Sequence, residues 1–507
     1  MSRVIVLGVD GLDWPLLEEL MPELPAIRSI AERGYAGEMT SIFPPDSIPS
    51  WVSIFTGLDP SEHGILETID YFKKGAAQFS VNTEAFRGRT FWDRAGELGK
   101  RVIIVNPLLA YPPWSVNGIM ATGPVFISGE TRVYPESLAR EFRLPPLGGI
   151  VDFPEKHELG AFARRTHEES ERMLDFTLNL MRSRPWDLVF LSLLTMDRIF
   201  HFFWRYFDLD DPTHPADNEH ADVIRRFHLF IDSCVARLLD AAGDDCIIMI
   251  VSDHGHHRRP TLLFNLNQLL LRHGLLRSRI GGPRLLSPRY HLERTKNLIL
   301  ETLHRLDLED LAYRFARLFP WTRRMKKRDF MTDPASNLAT ASDFGGTNPF
   351  GGVDISRERC AADGIEYEDL RDRVIALLLQ TKDASGAPVF LWAKRREELY
   401  TGPHIGKYPD VLYEMKPQYG TSWSLHVPLV TVNPRHRKIS GGHRANSVLV
   451  TGPLDDWKIR PERITPLNLA GTVLTVLAGG DDRSAGRPIP GGAGRLPFLE
   501  RSEPTNR

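Results

Sequence analysis

Cysteine is scarce in this chain: Cys234, Cys246 and Cys360 are the only three in 507 residues, and none forms a Cys-x-x-Cys pair. Three isolated thiols cannot build a disulfide framework, so the reading is a reduced, cytoplasmic compartment. Charge of one sign is also missing. Lys and Arg number 63 against 65 Asp and Glu, a formal net charge of −2. No bulk field therefore recruits nucleic acid or an anionic membrane. No apolar run approaches the ~18 residues that a transmembrane helix needs. The first residues lack the charged, apolar and cleavage segments of a secretory signal. Three familiar catalytic signatures do not occur: the Gly-x-Ser-x-Gly elbow, His-Glu-x-x-His and the Walker loop. What remains is ordinary globular composition, 42% hydrophobic and 25% charged, at a length that fits roughly two to four domains.

Within that composition, short β-branched apolar runs alternate with longer helical patterns from Arg3 to about Leu271. Residues 4–9, 101–105, 188–194 and 247–251 read as strands, and 157–181 as a helix. This alternation predicts an α/β fold with a mostly parallel central sheet and helices on both faces. The same style returns with strands at 428–432 and 447–450 and a helix at 467–474. Residues 276–334 differ: arginine and leucine dominate and no strand signal occurs, which predicts a helical cap insertion. The expected organisation is a first core part at 1–275, the cap at 276–334, a second core part at 335–485, and a disordered Gly-, Pro-, Arg- and Ser-rich tail at 486–507. The cap holds a basic run, Arg323-Arg324-Met325-Lys326-Lys327-Arg328. A solvated helix end explains it plainly. A lip that attracts phosphorylated substrate or a membrane surface is the sharper alternative.

Three aspartates close strand-like runs far apart in sequence: Asp10, Asp197 and Asp253. Ligands of open α/β sheets bind just outside the carboxyl ends of strands, so the three would converge on one crevice. Two of them bring a histidine, His201 four residues after Asp197 and His254 directly after Asp253. Such carboxylate and imidazole mixtures suit Zn²⁺ and similar divalent ions. A nucleophile candidate lies in residues 44–57, where Pro49 fits the first turn of a helix and Gly57 its stop. Ser47 then sits at the positive helix end, where an anion is favoured. Capping by Ser47 or Ser50 is the competing explanation of the same residues.

The ordered set of pieces resembles the alkaline phosphatase superfamily, and within it the type I phosphodiesterase/nucleotide pyrophosphatase branch. The pieces are Val9-Asp10-Gly11, Ser47-Ile48-Pro49-Ser50-Trp51, Thr56-Gly57, His63-Gly64-Ile65, Asp197-x-x-x-His201, Ser252-Asp253-His254-Gly255 and Gly442-His443-Arg444. The resemblance implies a binuclear site. Asp197, His201 and His443 would hold one cation, and Asp10, Asp253, His254 and the Ser47 oxygen the other. It implies two divalent metal ions, zinc by default with manganese or iron also fitting. It implies cleavage of a small-molecule phosphate ester through a phospho-serine on Ser47. Thr68 stands where that branch carries a phosphate-contacting asparagine. Arg444 is a further phosphate-contact candidate, given arginine's bidentate fit. A sulfatase is disfavoured because Ser47-Ile48-Pro49-Ser50 continues into Trp51 rather than arginine. A phosphotransferase or phosphomonoesterase of the same superfamily stays open.

Neighbouring residues have plainer expectations. His256 and His257 extend the Asp253-His254 motif and could line the pocket. Asp208, Asp210 and Asp211 with His214 read as a solvated turn. Phe202, Phe203 and Trp204 read as core, and Arg198 and Arg205 as surface pairs.

Overall fold

The central strands are apolar along their whole length, as strands covered on both faces must be. The computed structural model describes residues 3–66, 83–125, 129–148, 153–278, 288–311, 314, 332, 336–342, 344, 347–480 and 497–502. Its main sheet has eight strands in the order Tyr35–Thr40, Asn446–Gly452, Cys246–Val251, Arg3–Val9, Leu188–Leu193, Val102–Val105, Gly118–Thr122 and Arg132–Tyr134. The five from Cys246–Val251 to Gly118–Thr122 pair in parallel, and antiparallel strands close both edges.

Alternating side chains of one strand feed two separate cores. Ile5, Leu7 and Val9 face helices Leu159–Ser183 and Val223–Ala242. Val4 and Val6 face helices Ser47–Thr56, Phe91–Glu97 and Pro466–Leu477. This is the expected mostly parallel sheet with helices on both faces.

A smaller antiparallel sheet follows later in the chain, ordered Ala339–Ala341, Phe350–Ile355, Val411–Met415 and Phe390–Arg395. Helices Arg357–Asp363 and Tyr367–Gln380 complete it, and it has its own core around Val353, Val374, Leu378 and Tyr413. In the segment read as a cap, helix Pro288–Arg305 lies between Ser278 and Thr332, which bridge antiparallel. The basic run 323–328 lies outside the described residues. Asp307 and Asp310 tie this segment to the main domain through Lys156, Arg205 and Lys438. Within the tail expected to be disordered, Leu499–Arg501 pairs with Trp457–Ile459, because Phe498 and Leu499 bury against Leu469 and Val473. Among the described residues, no helix is long and apolar enough to cross a membrane.

Candidate active site

Every candidate donor sits at or just beyond the carboxyl edge of the parallel strands. Asp10 follows Arg3–Val9, and its backbone amide donates to the Leu193 carbonyl at 2.9 Å. The chain turns after Leu188–Leu193 into helix Thr195–Phe207, which carries Asp197 in its first turn and His201 one turn on. Residues four apart share a helix face, so the pair acts together. Asp253 and His254 follow Cys246–Val251. His443 arrives on strand Gly441–Arg444, which pairs antiparallel with Gly255–Arg258 in the register His443 to His256. Pairing in this two-stranded ladder fixes the position of His443. Gly441 is required there by packing, since a Cβ on it would lie 2.2 Å from the Phe200 carbonyl oxygen.

Ser47 is the first residue of helix Ser47–Thr56, and Asp46 caps it by accepting from the Ile48 amide. Neither Ser47 nor Ser50 is the cap. The Ser47 hydroxyl is left to the site: Oγ lies 3.3 Å from Asp10 Oδ1, to which it donates, and 3.0 Å from His254 Nε2. His63 braces the same helix from inside. Its Nδ1 accepts from the Ile65 amide at 3.1 Å, so its Nε2 donates to Ser53 Oγ at 3.1 Å.

Two donor clusters result. One joins Asp10, Asp253 and His254, all buried, and the other joins Asp197, His201, His256 and His443 nearer the surface. Four imidazoles are fixed by the same device, with Nδ1 against a backbone carbonyl. The partners are Gly441 for His201 at 3.0 Å, Gly255 for His254 at 3.1 Å, Gly11 for His256 at 3.1 Å and Pro45 for His443 at 3.2 Å. A carbonyl only accepts, so Nδ1 carries a proton in each ring and Nε2 is the atom turned into the cluster. His201 Nε2 and His443 Nε2 then face each other at 3.2 Å. Either a proton shared between the two nitrogens or a cation beside them satisfies that approach.

Electrostatics give the same account. Burial raises the Asp10 carboxyl well above the usual carboxylate range, with Asp253 and Asp197 adding to it. Burial raises Asp253 likewise. For Asp197 burial also opposes ionisation, but the imidazoles of His201, His443 and His256 outweigh it and hold the carboxyl well below. Burial pushes His443 down to about 3 and moves His256 in the same direction. Asp197 Oδ1, Asp253 Oδ2 and His256 Nε2 are buried atoms without a hydrogen-bond partner. Orphaned acceptors of this kind, in mixed carboxylate and imidazole sets, fit two divalent ions.

The remaining sequence candidates divide. Thr68 lies outside the described residues. Arg444 donates from Nε and Nη2 to the buried carboxylate of Asp13, at 2.7 and 2.5 Å. His257 alternates away from the cluster that His256 enters, as neighbours on a strand do. Asp211 is not in a solvated turn: it is buried and accepts from His436 Nε2 at 2.8 Å. Arg205 is no surface residue either, being 2% exposed and paired with Asp307 at 3.1 Å. Phe202, Phe203 and Trp204 are core as expected, and Arg198 pairs with Glu169. His256 was only a possible pocket-lining residue in sequence. Its strand register against His443 is the signal that a pattern search could not supply.

The model of the type I phosphodiesterase/nucleotide pyrophosphatase family matches residues 4–318, and the chain belongs to that family of phosphoric ester hydrolases. No curated protein matches it in sequence. Among solved structures it is similar to human ectonucleotide pyrophosphatase/phosphodiesterase 5, with a TM-score of 0.50 and 11% identity over 94% of this chain and 95% of that one. An inactive variant of the murine protein in complex with AMP matches with a TM-score of 0.49 at 12% identity over 94% and 95%. Phosphonoacetate hydrolase from Sinorhizobium meliloti 1021, in complex with phosphonoformate, matches with a TM-score of 0.48 at 14% identity over 94% and 96%.

Proposed function

We propose that this protein cleaves phosphodiesters through a phospho-serine on Ser47, with two divalent cations, zinc by default, held by the two clusters. Asp197, His201 and His443 would hold one, and Asp10, Asp253, His254 and the Ser47 oxygen the other. Zinc suits these nitrogen and oxygen donors, as do manganese and iron. Bound there, the cations would supply a lowered hydroxyl pKa at the nucleophile and charge stabilisation for the phosphoryl oxygens.

The observation that carries the reading is the placing of Ser47 Oγ, 3.3 Å from Asp10 Oδ1 and 3.0 Å from His254 Nε2. The positive end of the ten-residue helix Ser47–Thr56 favours negative charge on that oxygen. Asp10 Oδ1 and His254 Nε2 present acceptors to the hydroxyl proton. Attack forms the Ser47 Oγ–P bond as the bond to the leaving alcohol breaks and the alcohol takes a proton. Water then replaces Ser47 at phosphorus and returns a proton to Oγ. Asp197, His201 and Ser47 are partly exposed, whereas Asp253 and His254 are not, so substrate enters from the Asp197 side. A cytoplasmic setting is part of the reading, supported by three buried cysteines that are all free.

Hydrolysis of aryl phosphate diesters and monoesters, by wild type and Ser47→Ala, with and without chelator, tests this. Diester cleavage should dominate and both changes should abolish it. Turnover surviving in Ser47→Ala removes Ser47 as nucleophile. Transfer to an added alcohol in preference to water would make the protein a phosphotransferase.

A further inference from the structure

His256 takes no part in the reading above, yet its geometry is that of a ligand. It is fully buried on strand Gly255–Arg258, directly across the ladder from His443. Its Nδ1 donates to the Gly11 carbonyl at 3.1 Å, and its Nε2 is buried without a hydrogen-bond partner. It lies 3.4 Å from Asp197 Oδ1, beside the 3.2 Å from His201 Nε2 and the 3.5 Å from His443 Nε2 to the same oxygen. Neither His256 Nε2 nor Asp197 Oδ1 has a hydrogen-bond partner, so a hydrogen bond does not explain the approach. The Phe200 ring packs 5.1 Å from the His256 ring, tilted by 33°. Asp197 Oδ1 is itself a buried acceptor without a partner.

We infer that His256 is a fourth protein donor to the cation at Asp197, giving that ion three imidazoles and one carboxylate. This rests on the binuclear reading. Each cation would then have four protein donors, but of different kinds: three imidazoles and one carboxylate at Asp197, against one imidazole, two carboxylates and the Ser47 oxygen at Asp10. The nitrogen-rich set suits zinc better, so the Asp197 site would fill first.

Metal-free full-length wild type, His256→Ala, His256→Asn and a His257→Ala control, titrated with Zn²⁺ by calorimetry and with Co²⁺ by visible absorption, test the inference. Wild type and His257→Ala should take up two ions in two steps, the first giving the intense bands of tetrahedral Co²⁺. His256→Ala and His256→Asn should weaken the first step by on the order of 100-fold and lose those bands while keeping the second. Asn keeps a side-chain donor for the Gly11 carbonyl, which separates ligand loss from misfolding. Two ions in wild type with unchanged affinities and bands in both His256 variants overturns the fourth donor alone. No uptake by wild type overturns the binuclear reading with it.

Discussion

Trp51 donates its indole N–H to Asp10 Oδ2 at 2.9 Å, leaving the other carboxylate oxygen, Oδ1, to Ser47. The nucleophile's helix thereby orients the carboxylate that the nucleophile approaches. Trp51 is fully buried and stacks on Phe55. Trp51→Phe keeps most of the packing and removes the donor. It should weaken metal binding about 10–100-fold and cost about 1–3 kcal/mol of stability from an unsatisfied acceptor. Calorimetric metal titration and urea unfolding read the two effects separately.

Gly11 joins the two clusters through its own backbone. Its amide donates to Asp253 Oδ1 at 3.0 Å and its carbonyl accepts from His256. Its φ is +73°, and a Cβ there would meet the His256 ring at 2.7 Å. Gly11→Ala should cost about 1–3 kcal/mol from backbone strain and displace His256. Metal stoichiometry falling below that of wild type in a still-folded protein, checked by circular dichroism, is the expected result.

Arg444 and Asp13 form an ion pair whose carboxylate is fully buried beneath the loop after Arg3–Val9. Burial raises the Asp13 carboxyl, and the Arg444 guanidinium works against that rise. Arg444→Ala strands the carboxylate and should destabilise the protein by about 3 kcal/mol. Arg444→Ala with Asp13→Asn should recover part of the loss. Denaturant midpoints for the two single variants and the double variant measure the coupling.

Metal capture should depend on pH through the aspartates rather than through His443. Burial raises Asp10 and Asp253, so each holds a proton above the usual carboxylate range and must release it to bind a cation. Their contribution to metal-free stability is full below the unfolded value and is lost as pH rises through the folded one. His443, lowered to about 3, stays neutral down to that pH and presents no competing proton above it. The gain in melting temperature on adding Zn²⁺ should therefore grow as pH rises from the carboxylate range toward neutrality. A gain that is flat across that window would show the aspartates already ionised.

Much of this site could be read in the chain because strand ends announce themselves. Apolar runs that stop at Asp10 and Asp253 place those side chains by sheet topology alone. Helical spacing did the same for Asp197 and His201. His443 needed the family resemblance, since its strand has only four residues and two of them are glycines. His256 became legible only with the pairing register, which depends on contacts across 187 positions of chain, from 256 to 443. The smaller sheet escaped notice because edge strands such as Phe390–Arg395 mix exposed and buried positions irregularly. Arg444 shows the opposite limit. Its chemistry suits phosphate, and only the fold shows the buried carboxylate of Asp13 that claims it.

The separation of Asp10 from His443 has a consequence for biosynthesis. A ribosome delivers the first carboxylate at the outset and the last imidazole only after more than four hundred further residues. Until then edge strand Tyr35–Thr40 lacks its neighbour Asn446–Gly452, and the cluster of Asp197, His201 and His256 is one donor short. On the binuclear reading, ion loading would wait for completion of synthesis, and a stalled copy would stay both unsealed and inert.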